Sequence, residues 1–304
     1  MTLYLPIAEL SVNWLVIVGL GGLVGFLSGM FGVGGGFLTT PLLIFYGIPP
    51  AVAVASSATQ ITGASVSGAL AYWRRGGVDL KMGGVLIAGG LIGAALGSVV
   101  FRWLQQLGQI DVTINLVYVL LLGTVGGLML RESIRTLRRT AKGARPKRLH
   151  AHNPYIAALP WKTRFYTSGL YISPLAPLLL GAVVGMLTVI MGVGGGFILV
   201  PAMIYLLGMS ANSVVGTSLF QIVFVTAATT VLHSVESQTV DIVLAGLLLV
   251  GGVLGAQLGV RAAQKLSPVR LRLGLALIVV AVAVRLAIGL ALTPAELFSV
   301  FGPA

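Results

Sequence analysis

Long apolar runs alternate with short polar interruptions along the chain, and the runs fall into two matching series. The first series occupies about 12–31, 37–46, 51–73, 82–103 and 112–130, and the second 175–191, 197–207, 211–232, 241–263 and 270–292. Segments of roughly 20 residues are long enough to cross hydrocarbon as helices. Those at 37–46 and 197–207 are too short to do so, and three glycines separate each from the apolar run before it. Each glycine in a helix interior costs about 1 kcal/mol relative to alanine. The pattern therefore predicts an interrupted helix in each series.

The two series are copies of one unit. A shift of 160 residues lays Gly32–Pro41 on Gly192–Pro201 with seven identities in ten positions. A shift of 161 lays SSATQ (56–60) on TSLFQ (217–221), and one of 162 lays GGLIGAALG (89–97) on GGVLGAQLG (251–259) and Asp79 on Asp241. Offsets that grow in order are what one-residue loop insertions in a duplicated unit produce. The chain divides into a first membrane repeat (1–131), a basic linker (132–174) and a second membrane repeat (175–304). Each repeat is expected to hold a broken, re-entrant helix plus three full spans. The predicted fold is an all-α polytopic membrane protein with roughly 8–10 membrane-crossing elements.

Composition sharpens this picture. Of 304 residues, 57% are hydrophobic and 9% charged, against about 25% charged in a soluble domain. The net charge of +12 does not mark a nucleic-acid binder, because ten of the 19 Lys and Arg fall between Arg131 and Arg164 and none precedes Arg74. Such clustering is how cytoplasmic loops look. The loop with Arg74, Arg75 and Lys81 is then cytoplasmic in the first repeat. In the second repeat the equivalent loop, with His233, Glu236 and Asp241, lacks Lys and Arg, while 261–272 carries Arg261, Lys265, Arg270 and Arg272. Equivalent loops are thus expected on opposite faces: the repeats are inverted, the linker is cytoplasmic and both termini are external. Glu9 and the absence of a positive N-terminal region argue against a cleaved signal peptide. No cysteine is present, so disulfides and thiolate chemistry are excluded. His150, His152 and His233 lie in hydrophilic stretches, the first two reading as solvated loop residues rather than a metal pair.

Inverted repeats with interrupted helices are a recurrent plan for secondary transporters. A break survives in lipid only where its freed backbone groups are buried in protein or face water. The helices starting near Phe37 and Phe197 would point free N–H groups and positive dipole ends at a common cavity, forming an anion site near the midplane. The candidate residues there are Gly34, Gly35, Gly36 and Phe37 with Gly194, Gly195, Gly196 and Phe197. Tight packing without a ligand is the competing explanation. It is the better one for Gly89/Gly93/Gly97, Gly251/Gly255/Gly259, Gly21/Gly25 and Gly181/Gly185, whose spacing forms packing ridges. Neither a dinucleotide fingerprint nor a P-loop fits, because position 37 is Phe and no lysine follows.

Polar residues within the spans extend the candidate set. Ser56, Ser57 and Gln60 of the first repeat match Thr217, Ser218 and Gln221 of the second. A glutamine amide in lipid needs a partner: it either donates to substrate or bonds a neighbouring helix or broken end. All seven carboxylates (Glu9, Asp79, Asp111, Glu132, Glu236, Asp241 and Glu296) lie at or near predicted span ends, so no buried acid stands ready for proton or sodium coupling. Export of an anion needs none, because the inside-negative potential favours it by about 2.3 kcal/mol per charge per 100 mV. Arg285, inside a span, reads as snorkelling or paired rather than substrate-binding.

FGVGGGFLTTPLL (31–43) and MGVGGGFILVPAM (191–203), with SSATQ and TSLFQ downstream, resemble the sulfite exporter TauE/SafE family of membrane transporters. The similarity covers nearly all of the chain except the linker. It implies an inner-membrane permease moving sulfite, sulfonates or related organic anions. The functional expectation is a secondary transporter working in export by alternating access, with substrate at the paired broken-helix starts near the midplane and a channel-like or uptake permease as the alternative. An intramembrane enzyme is disfavoured by the lack of HExxH, cysteine or a buried Asp pair. No cofactor or metal is expected. The expected partners are a small anion and membrane lipid, not nucleic acid, and a homo-oligomer is compatible with the sequence.

Overall fold

A computed structural model describes residues 2–31, 35–74, 76–141, 160–209, 211–263 and 268–291. Gly34, His150, His152, Arg75, Lys265 and Glu296 lie outside the described residues, as do 142–159 of the linker and the C-terminal stretch from 292. Ten helices are present among the described residues, and five of them are long and apolar enough to cross a membrane. Leu91, Leu96, Trp103, Leu120, Leu128, Leu254 and Leu258 are exposed on their outer faces. So much apolar surface is tolerated against lipid and not against water. The protein is an all-α polytopic membrane protein.

Each series of apolar runs folds into the same order of elements. In the first, a hairpin of β1 (Thr2–Leu5) and β2 (Leu10–Asn13) leads into α1 (Trp14–Phe31). The break follows, then α2 (Gly36–Phe45), α3 (Pro50–Trp73), α4 (Leu80–Gln106) and α5 (Ile110–Ala141). In the second, β3 (Thr163–Phe165) and β4 (Leu170–Ile172) lead into α6 (Leu175–Met191). The break is followed by α7 (Gly196–Tyr205), α8 (Ala211–Leu232), α9 (Ile242–Ala263) and α10 (Pro268–Ala291). The two hairpins extend the repeat beyond what the apolar runs revealed. Part of the stretch expected as a basic linker is therefore ordered structure: the last turns of α5 at one end and the β3–β4 hairpin at the other.

The units exchange partners. The first helix of each packs on the fourth helix of the other, α1 on α9 and α6 on α4, while α3 faces α8 and α5 faces α10. The glycine ridges make the first two crossings possible. A Cβ built on Gly21 would lie 2.6 Å from the Leu248 carbonyl oxygen, and one on Gly97 2.9 Å from that of Met186. Gly255 abuts the Gly22 carbonyl, Gly93 that of Ala182 and Gly185 that of Gly90. Main chain touches main chain along both seams, the packing that small residues permit in lipid.

Two buried aspartates tie the seams at their ends. Asp79 and Asp241 are 1% and 0% exposed, which corrects the expectation that no acid is buried. Their position at span ends was foreseen, and their burial follows from capping helices that start inside the protein. Asp79 Oδ1 accepts from Met82 N–H (3.0 Å) at the start of α4, and Asp241 Oδ1 from Val243 and Leu244 N–H (3.1 and 3.0 Å) at the start of α9. The second oxygen of each reaches the hairpin of the other unit. Asp79 Oδ2 accepts from Ser168 N–H and Oγ–H (3.0 and 2.6 Å), and Asp241 Oδ2 from Ile7 N–H (3.0 Å). Their backbone N–H groups also cross over, Asp79 to Thr217 Oγ1 (3.0 Å) and Asp241 to Ser56 Oγ (3.1 Å).

The seams set a steric test. Gly93→Val forces a side chain into the Ala182 backbone and is expected to lower stability by about 1–3 kcal/mol or prevent folding. Gly123→Ala, with nothing near its Cβ position, is expected to be neutral or to stabilise by up to about 1 kcal/mol. Thermal unfolding of the two purified variants in detergent checks the contrast; equal melting temperatures would contradict the close-packed seam.

Candidate functional site: two broken helices that meet

Glycine conformation creates the breaks. Gly35 and Gly195 stand before α2 and α7 with φ of 69° and 74°, and Gly192 ends α6 with φ of 67°. These are left-handed angles that glycine adopts without steric cost. No side chain caps either short helix; Leu38 and Ile198 N–H turn back to the Gly35 and Gly195 carbonyls (3.0 and 3.1 Å), and the N–H groups ahead of them are left to whatever lies in front of the helix. Pro41 and Pro201 stand inside α2 and α7. Lacking N–H groups, they also deprive the Phe37 and Phe197 carbonyls of their ordinary helical partners.

The two breaks come together in the interior. Phe37 and Phe197 are both buried, and their rings stack with centroids 4.9 Å apart and planes 19° from parallel. Such a pair contributes about 0.5–1.5 kcal/mol beyond its buried area. A Cβ on Gly36 would lie 2.7 Å from the carbonyl oxygens of both Gly192 and Val193. Glycine at 36 therefore lets one break approach the backbone of the other. Ile61 of α3 and Ile222 of α8, equivalent positions of the two units, pack on the turns, with Ile61 against Gly36 and Gly194 and Ile222 against Gly194.

The carbonyls freed where α6 ends find donors from three other elements. Gly192 N–H closes on Thr188 O (2.8 Å). His233 Nε2 lies 3.0 Å from Val189 O, a contact in which only the ring can donate. Tyr118 of α5 donates its hydroxyl to Met191 O (2.6 Å). Ser57 Oγ lies 2.9 Å from Val54 O of its own helix, 3.3 Å from Gly192 O and 2.8 Å from Thr40 Oγ1, which also bonds the Tyr118 hydroxyl. The Val189, Met191 and Gly192 carbonyls thus have partners inside the protein, as backbone groups in lipid need. His233, which the sequence placed in a hydrophilic stretch, is 1% exposed, with the Phe101 ring edge-on at 4.6 Å. The chain after α8 widens into a π-helical turn over His233–Ser237, where the imidazole is buried.

Of the candidates from sequence, Gly35, Gly36, Phe37, Gly194, Gly195, Gly196 and Phe197 lie at this junction, and Gly34 lies outside the described residues. Ser57 stands between Val54 O of its own helix (2.9 Å) and the broken end of α6 at Gly192 O (3.3 Å). Ser56 and Thr217 are directed instead to the backbone of Asp241 and Asp79, and Ser218 bonds its own helix at Val215 O (2.9 Å). Gln60 accepts from Thr39 Oγ1 (2.8 Å). Gln221 is fully buried, and neither end of its amide finds a partner among the described residues. Arg285 lies over the Phe45 ring at 5.3 Å, a cation–π contact rather than a place in the junction.

The sequence reading missed Thr39, Thr40, Tyr118, Ser28 and Thr188. The last two carried a signal, being hydroxyl residues at a shift of 160 just before the breaks. A Cβ on Gly35 would lie 3.2 Å from Ser28 Oγ, and one on Gly195 3.2 Å from Thr188 Oγ1. Tyr118 had no such signal, because its counterpart region in α10 is valine.

Removing a donor from the broken end tests this arrangement. Tyr118→Phe leaves the Met191 carbonyl without its hydroxyl partner and is expected to lower stability by about 1–3 kcal/mol. The check is chemical unfolding of purified protein; an unchanged midpoint would show that the hydroxyl does not hold the break.

Comparison with known proteins finds a family of membrane transporters. The model of the family described as sulfite exporter TauE/SafE matches residues 17–286. A probable membrane transporter protein of Xylella fastidiosa (strain Temecula1 / ATCC 700964) is 32% identical over 255 residues, covering 83% of this chain and 86% of its own. From Bacillus subtilis (strain 168), the probable membrane transporter protein YjnA is 27% identical over 263 residues, covering 86% of this chain and 94% of its own. YunE, of the same description and organism, is 28% identical over 263 residues, covering 84% and 90%. No solved structure matches the chain. The chain belongs to the sulfite exporter TauE/SafE family of membrane transporters.

Proposed function

We propose that this transporter carries small sulfur-containing anions, sulfite and sulfonates among them, outward across the inner membrane. The observation that carries the reading is the meeting of two uncapped helix starts at a buried junction. Ten residues of helix rise about 15 Å, half the hydrocarbon thickness. With their far ends at the membrane surfaces, α2 and α7 begin near the midplane. Their first-turn N–H groups and dipoles favour negative charge there.

The outward direction rests on the membrane potential, and the junction holds no carboxylate among the described residues that would point to a coupling cation. Asp79 and Asp241 cap helices and hold hairpins, and no carboxylate borders the glycine turns. An anion leaving along an inside-negative potential of 100 mV gains about 2.3 kcal/mol per charge, roughly a 50-fold gradient, without a coupling ion. The Lys and Arg distribution supports units of opposite orientation joined by the basic linker. Crossed packing of equivalent helices is the arrangement a pseudo-twofold axis in the membrane plane produces. The buried Phe37–Phe197 stack favours alternating access over an open channel, because it fills the junction from both units.

Reconstituted protein is expected to show sulfite-dependent flux that rises when the compartment of origin is made negative. Gly195→Leu, with a side chain on a left-handed backbone packed against Val184, is expected to lose at least about tenfold of that flux. Proteoliposomes loaded with a panel of sulfite, sulfonates and sulfate provide the measurement. Absence of flux for every anion would overturn the reading.

A further inference from the structure

The two repeats set the same glutamine against the same glycine of the opposite unit, yet leave the two amides in different states. Gln60 Nε2 lies 2.7 Å from where a Cβ on Gly252 would stand, and Gln221 Nε2 lies 3.0 Å from that of Gly90. Gly90 and Gly252 are themselves equivalent, at the shift of 162. Each amide thus occupies a notch that a glycine of the opposite unit opens for it. Thr39 in the second turn of α2 then satisfies the Gln60 oxygen. The residue equivalent to Thr39 at a shift of 160 is Leu199, which has no hydroxyl to give.

Gln221 is left 0% exposed with both Nε2 and Oε1 unpaired. It is the only side-chain amide among the described residues left without a partner at both ends. Its helix packs directly on the second break: a Cβ on Gly194 would lie 3.4 Å from Ile222 and 3.3 Å from Thr226. A buried amide without partners is a standing penalty that a ligand removes on binding. The uncapped start of α7 supplies further donors to the same ligand.

Resting on the anion-transport reading above, we propose that the repeats read the substrate unequally. Gln221 contacts the anion, whereas Gln60, tied to Thr39, is a positioning residue that holds α2 against α3. The chemistry of the unpaired amide also selects the ligand class. Nε2–H donates to an anionic oxygen, and Oε1 needs a donor in return. The site is therefore matched to an oxyanion that carries its own O–H or N–H group, such as hydrogensulfite or a hydroxyalkanesulfonate. A donor-free anion leaves Oε1 bare and is disfavoured.

The matched pair 2-hydroxyethanesulfonate and ethanesulfonate, which differ by one hydroxyl, tests this by calorimetric titration of the purified full chain. The unaltered protein is expected to bind the hydroxylated ligand at least about tenfold more tightly. Leu199→Thr gives Oε1 the partner that Thr39 gives Gln60, and is expected to reduce the preference to within about threefold. Gln221→Leu is expected to lose the preference and to weaken both ligands, whereas Thr39→Leu keeps the preference. Equal binding of the pair by the unaltered protein, a preference that survives Leu199→Thr or Gln221→Leu, or its loss in Thr39→Leu would overturn the proposal while leaving anion transport standing. The comparison in unaltered protein decides even where a variant fails to fold. Failure to bind or move any sulfonate or sulfite would overturn the transport reading and this inference with it.

Discussion

Backbone groups freed inside lipid must find partners within the protein, and the two glycine breaks are where this molecule meets that constraint. A soluble protein can turn a broken helix toward water. Here the break at the end of α6 takes donors from α5, from the turn after α8 and from α3. Those elements must then sit where the carbonyls require them. The junction thereby fixes the positions of helices drawn from both repeats, and neither repeat can form it alone. The helix starts beyond the breaks remain uncapped by side chains, which leaves donors for a ligand at the point where the rest of the fold converges.

Exchange of partners between the repeats does the remaining work. Glycine seams bring α1 to α9 and α6 to α4 at backbone contact, where the lipid itself supplies little drive for association. At the ends of those seams, Asp79 and Asp241 each join three things with one side chain and one peptide group: a helix start, the hairpin of the other unit and a hydroxyl of the other unit. A carboxylate buried in this way is stable only because its hydrogen bonds are complete. Its commitment to capping also removes it from the chemistry of transport.

What the sequence made legible followed from strong periodic signals. The apolar runs located all ten α-helices of the described residues, and the doubled GVGGGF located both breaks, because apolar length and adjacent glycines have few other meanings in lipid. The glycine ridges were readable for the same reason. The hairpins at 2–13 and 163–172 were not, since short strands at a membrane surface have weak patterns. Ser56 and Thr217 matched as a pair and so entered the candidate site, yet their hydroxyls face Asp241 and Asp79; pairing in sequence preserves position, not role. His233 misled because its neighbours are polar, and only the π-helical turn shows that its ring points inward. The difference between Gln60 and Gln221 was invisible until Thr39 and Leu199 were seen beside equivalent notches.

The central claim is that the breaks of the two repeats meet at one buried centre. The chain contains no cysteine, so Phe37→Cys with Phe197→Cys introduces the only two thiols. Cross-linking of this pair in membranes by a short, membrane-permeant bifunctional thiol reagent, followed by proteolysis between residues 142 and 159, tests the claim most directly. The account predicts that the two halves remain joined, as stacked rings 4.9 Å apart require. Halves that separate although each cysteine reacts with a monofunctional reagent in the folded protein would contradict it.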